Sequence, residues 1–63
     1  MNSEYGKYVK SVRTRLGLTQ HQMAQLLGLS RSTVGNYEKG IIKPSLDIYI
    51  KIQELDPEKE KAA

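Results

Sequence analysis

Between Thr19 and Gly40 the chain runs twice from a hydroxyl residue to a glycine: TQHQMAQLLG, then Leu29 alone, then SRSTVGNYEKG. Thr19 and Gln22 three positions later form a capping box, with Leu18 and Met23 as the accompanying hydrophobic staple. Ser30 opens the second run in the same way, with Leu29 and Val34 as its staple pair. Gly28 and Gly40 stand where helices end in left-handed backbone. This punctuation predicts two short helices, 20–27 and 31–39, separated by a turn of about three residues.

Two more helices flank this pair. Tyr5, Tyr8, Val9, Val12 and Leu16 fall at helical spacing and predict a helix from about 4 to 16, closed by Gly17. A fourth follows Pro44, capped by Ser45, with Asp47 complementing the positive end of its dipole. Its apolar residues, Leu46, Ile48, Tyr49, Ile50, Ile52 and Leu55, cover more than one face. It ends at Asp56, because a residue before proline resists the helical region. No stretch alternates with period two, so the fold class is all-α, a compact bundle. Residues 1–55 are expected to form the domain and 56–63 a frayed, charged tail.

Sixty-three residues make at most one domain, and a chain this short buries only about 60% of its unfolded surface. It holds no cysteine and one histidine, which leaves neither a disulfide staple nor a His/Cys metal site. Packed helices or a partner subunit must supply the stability. Net charge is +3, and it is uneven. Eight basic residues from Lys7 to Lys51 face only Glu4, Glu38 and Asp47, whereas residues 54–63 are net acidic. A basic body suits an anionic partner, most often nucleic acid; ordinary solubilising lysine explains the charge about equally well.

The second run is rich in weak helix formers: Ser32, Thr33, Gly35 and Asn36 all rank below Ala or Leu. Its inward face is Val34, Tyr37 and Glu38. Its outward face is Arg31, Ser32, Gly35, Asn36 and Lys39. A helix composed this way presents small polar groups and an arginine to something outside the protein. The spacing of Gln20, Ala24, Gly28, Ser30, Val34, Tyr37-Glu38-Lys39-Gly40 and Pro44-Ser45-Leu46 resembles that of the Cro and phage-repressor (XRE-type) helix-turn-helix family over roughly residues 5–55. The resemblance implies a four- to five-helix bundle of the lambda-repressor type. It also implies binding of a double-stranded DNA operator, usually by a homodimer.

In a docked helix-turn-helix, residues at the start of the second helix meet base edges. Arg31, Ser32 and Asn36 are the candidates; arginine bonds guanine bidentately and asparagine does the same with adenine. Gly35 costs about 0.8–1.0 kcal/mol of helix propensity, which closer approach to the base pairs would justify; simple tolerance of a surface glycine is the alternative. Gln20, at the start of its helix, is a phosphate candidate through free N–H groups, and the aligned family glutamine implies a side-chain role too. Lys43, Thr33 and Lys39 are further phosphate candidates. His21 reads as a solvated surface residue. Arg13 lies on the inward side of the first helix with Val9, Val12 and Leu16, so an Arg13–Glu38 ion pair is expected, in agreement with an Arg/Glu pair in the resembled family.

Met23, Leu26, Leu27 and the tyrosines read as core. Ile41, Ile42, Ile48, Ile52 and Leu55 are candidates for a dimer contact, since one face of the fourth helix suffices for the monomer. The leading function is a transcriptional repressor. The second is a protein-interaction module of the same fold, such as an antitoxin or bridging factor, and a regulatory protein partner fits either. No cofactor is called for, and the scarcity of catalytic side chains argues against an enzyme. The absence of a signal peptide or membrane-length apolar run fits a cytoplasmic protein of bacterial or phage origin.

Overall fold

In the computed structural model, which describes residues 4–58, the chain forms four helices and, among those residues, no strand. They are α1 (Glu4–Arg15), α2 (Gln20–Leu27), α3 (Arg31–Lys39) and α4 (Leu46–Leu55). Local chemistry sets each boundary. Thr19 Oγ1 accepts the Gln22 N–H at 3.1 Å while Gln22 Oε1 accepts the Thr19 N–H at 2.9 Å. Ser30 and Ser45 cap α3 and α4 by accepting the N–H groups of Thr33 and Ile48. Gly28 at φ 72° and Gly40 at φ 78° end α2 and α3 in the left-handed region. The following N–H groups, of Leu29 and Ile41, return to Ala24 and Asn36 carbonyls at 2.8 and 2.9 Å. Carbonyls that a helix end leaves orphaned are thus satisfied at both turns.

The core joins Val9 and Val12 of α1, Met23, Ala24 and Leu27 of α2, Val34 and Tyr37 of α3, and Ile52 of α4. The third helix packs on both α1 and α2, and α4 closes the opposite side against the same two. Alignment of α3 is therefore fixed from behind, and its outer side stays clear.

Several sequence expectations change. Tyr5 and Tyr49, read as core with the other tyrosines, are half-buried and stand outside it, and the dimer candidates Ile48 and Leu55 pack against the monomer's own core. Leu26 is not core: it is 56% exposed. Met23, Leu27 and Ala24 define the inward arc of α2, and Leu26 lies roughly 60° past Met23 on the far side from Ala24. Ile52 is not available to a second subunit, because the monomer buries it completely. Ile48, Ile52 and Leu55 recur at four and three residues and form the inward stripe of α4, with Ile48 and Leu55 packed against the core. The opposite face of that helix carries Leu46 and Ile50, both exposed, alongside Ile41 and Ile42 in the preceding loop.

Asp56, expected in the tail, is buried and belongs to the folded unit. Its carboxylate accepts the Tyr8 hydroxyl at 2.8 Å, Arg15 Nη1 at 3.2 Å and the Glu58 N–H at 2.9 Å. These bonds fasten the end of α4 to α1. Residues 59–63 of the expected tail lie outside the described residues.

Candidate nucleic-acid interface

The site is built from the first residues of α2 and the outward side of α3. Ser30 sets the start of α3, and its hydroxyl also meets Thr33 Oγ1 at 2.8 Å. Val34 and Tyr37 hold the helix from inside, so residues 31, 32, 35, 36 and 39 share the free side. Gln20 enters beside them from the start of α2. Together Gln20, Arg31, Ser32, Gly35, Asn36 and Lys39 line one shallow depression of about 250 Å³.

Six of the eight residues singled out for DNA contact meet at this depression. Thr33 stays with the Ser30 cap instead. Lys43 sits apart, its ammonium 5.8 Å from the Tyr5 ring centroid, in a second concavity with Pro44, Leu46 and Tyr49. Among the described residues, neither Arg31 nor Lys39 has a carboxylate within ion-pairing distance. Both are exposed. A cation such as Arg31 in the first turn of a helix opposes the positive end of its dipole. Among the described residues no carboxylate offsets that opposition, whereas a polyanion alongside would.

Behind the depression lies a buried polar network. Arg13 Nε donates to Glu38 Oε2 at 2.6 Å and Arg13 Nη2 to Glu38 Oε1 at 3.1 Å, a two-pronged pair with side chains only 15% and 6% exposed. Arg13 Nη1 reaches the Leu18 carbonyl at 2.9 Å, so one guanidinium ties α1, the turn after it, and α3. The hydrogen bond to Glu38 raises the Arg13 pKa further. Glu38 Oε1 also accepts Gln20 Nε2 at 3.1 Å. No local pattern in the sequence announces that last link, which joins residues 18 positions apart.

The arrangement is a two-helix unit with a polar, cationic outer side on an apolar base. A Helix-turn-helix family model matches residues 9–56, from the middle of α1 through the end of α4. The chain belongs to the XRE-type helix-turn-helix family. Relatives carry the same stamp. An HTH-type transcriptional regulator of Bacillus subtilis, YgzD, is 41% identical over 44 residues, covering 70% of this chain and 67% of its own length. The SPbeta prophage-derived HTH-type regulator YonR, also of Bacillus subtilis, is 35% identical over 51 residues, covering 81% of this chain and 47% of its own. A Methanocaldococcus jannaschii protein named as an HTH-type transcriptional regulatory protein is 37% identical over 50 residues, or 79% of this chain. The match spans only 16% of that archaeal protein's length. No solved structure matches the chain significantly. No described helix is long and apolar enough to cross a membrane.

Proposed function

We propose that this helix-turn-helix protein is a sequence-specific regulator of transcription that enters the major groove of duplex DNA with α3. The supporting observation is the convergence of Gln20, Arg31, Ser32, Gly35, Asn36 and Lys39 on one open depression. Arg31 and Asn36 are the base readers, bidentate in reach and matched to guanine and adenine. Ser32 is the short, permissive contact. Gly35 leaves room for close approach. Phosphates are taken by the free N–H groups at the start of α2, beside Gln20, and by Lys39, with Thr33 and Lys43 at the margins.

Repression by occupancy is the mechanism we favour: a cytoplasmic homodimer covers a palindromic operator and excludes polymerase. Its two recognition helices would then lie roughly 34 Å apart, one turn of DNA. Ile41 and Ile42, exposed in the α3–α4 loop, are the dimer candidates that remain, joined by Leu46 and Ile50. In-vitro selection from a random duplex pool tests the whole reading. An inverted repeat is expected, bound with an affinity that falls steeply as salt rises. Recovery of no motif at low ionic strength would end it.

The same exposed isoleucines and leucines favour a second reading, a protein-interaction module with DNA binding secondary. Salt separates the two, because association through apolar surface does not weaken in proportion to released counterions.

A further inference from the structure

Gln20 is held in one orientation. A carboxylate only accepts hydrogen bonds, so the Gln20 atom turned to Glu38 is Nε2, at 3.1 Å. Arg13 engages both oxygens of Glu38, which fixes the carboxylate in a two-pronged pair. The remaining polar atom of the amide, Oε1, is the side-chain atom nearest to Gly35. A Cβ at Gly35 would stand 3.6 Å from Oε1 and 3.9 Å from Nε2. Both Gln20 and Gly35 line the depression.

We propose that Glu38 is a positioning residue that turns Gln20 Oε1 toward the duplex as a hydrogen-bond acceptor, and that Gln20 thereby determines specificity for an amino-bearing base. This rests on the reading of the depression as the groove-entering surface. Phosphates carry no donor for such an oxygen. In the major groove the donors are the N6 amino group of adenine and the N4 amino group of cytosine. Guanine and thymine present acceptors there and leave Oε1 facing a lone pair, desolvated and unmatched. One strand position opposite Gln20 is thus read as adenine or cytosine against guanine or thymine. Gly35 acquires a reason in the same geometry: a methyl group at that position would touch the amide, with the oxygen as its nearest atom, and crowd a base approaching it.

The test compares in-vitro selection profiles of the full chain and the variants Gln20→Met, Glu38→Gln and Gly35→Ala, with thermal unfolding of each. Gln20→Met identifies the position that depends on Gln20. The unaltered protein should prefer adenine or cytosine there by a factor on the order of ten. Glu38→Gln gives residue 38 both a donor and an acceptor, frees the amide to turn over, and should bring that one preference toward parity while other positions keep theirs. Adding Glu38→Gln to Gln20→Met should relax nothing further at that position. Gly35→Ala introduces only an ordinary van der Waals contact, so it folds even if Glu38→Gln does not, and it should relax the same position. Uniform weakening across all sequences by Glu38→Gln, or an unchanged preference in Gly35→Ala, would overturn the proposal, as would guanine or thymine at the Gln20-dependent position. A motif indifferent to Gln20 sinks this inference alone. Absence of any motif sinks it together with the reading beneath it.

Discussion

The depression beside α3 and the closure between α1 and the end of α4 are both rich in charged and polar groups, and they treat those groups in opposite ways. At the closure every charge is matched. Asp56 takes Tyr8, Arg15 and a backbone N–H, and Arg15 also lies 3.7 Å from Glu58. Behind α3 the same holds for Arg13, Glu38 and Gln20. In front of α3, Arg31 and Lys39 have no carboxylate partner among the described residues. Matched groups fix distances, and removing one partner strands the other. Unmatched, hydrated cations contribute little to folding and remain free for an external anion. The lesson is that geometry and affinity are assigned to different residues only a helix diameter apart.

The largest expected effect comes from breaking a matched group. Glu38→Ala should destabilise the fold by about 3 kcal/mol or more, read by urea unfolding, because Arg13 is left largely buried with its charge unpaired. Replacing Arg13 and Glu38 together by apolar residues of similar volume should recover much of that loss. If Glu38→Ala unfolds no more readily than a surface variant, the contrast between the two regions fails. Arg31→Ala should leave stability within about 0.5 kcal/mol while weakening operator binding by about 1–3 kcal/mol and relaxing one base position. Equal weakening on every sequence would move Arg31 to the phosphate contacts.

Smaller still, Gly35→Ala should raise fold stability by about 0.8–1.0 kcal/mol, the helix-propensity difference, seen as a higher melting temperature. Stabilisation that comes with poorer discrimination would sharpen the comparison, since it separates folding from reading at one residue. The smallest effect at neutral pH lies in the closure and emerges only at the extremes. The Glu58 N–H first, then the Tyr8 hydroxyl and Arg15, hold the Asp56 carboxyl below its ordinary value near 3.8. Its contribution is complete above that ordinary value and is lost as pH falls through the lower folded one. Burial first, then the bond to Asp56, pushes Tyr8 up to about 12 from 10.0. Its contribution is complete below pH 10 and is lost as pH rises toward 12. Melting curves against pH should show both shoulders, and Asp56→Asn should flatten the acid one.

Helix ends were legible because their causes are local. Thr19, Ser30 and Ser45 each act within three residues, and Gly28 and Gly40 act at the point where the chain turns. The outward side of α3 was legible for a related reason: once Val34 and Tyr37 are inside, the period of the helix leaves Arg31, Ser32, Gly35, Asn36 and Lys39 on the other side. Apolar residues on two faces of α4 defeated the same argument. Periodicity alone does not say whether Ile48, Ile52 and Leu55 or Leu46 and Ile50 face inward, and the answer depends on where α1 and α2 leave a gap. Tyr8 and Asp56, 48 positions apart, form a bond that no local pattern announces. Gln20 and Glu38 escaped notice likewise, since each has an adequate explanation by itself.

Because Val34, Tyr37 and Glu38 grip α3 from within, positions 31, 32 and 36 are open to wholesale replacement. A library randomised at those three sites should yield soluble, folded molecules with altered addresses. Residues 20 and 38 should travel through such a library as one inherited unit, for a change in either alone alters how the other is held.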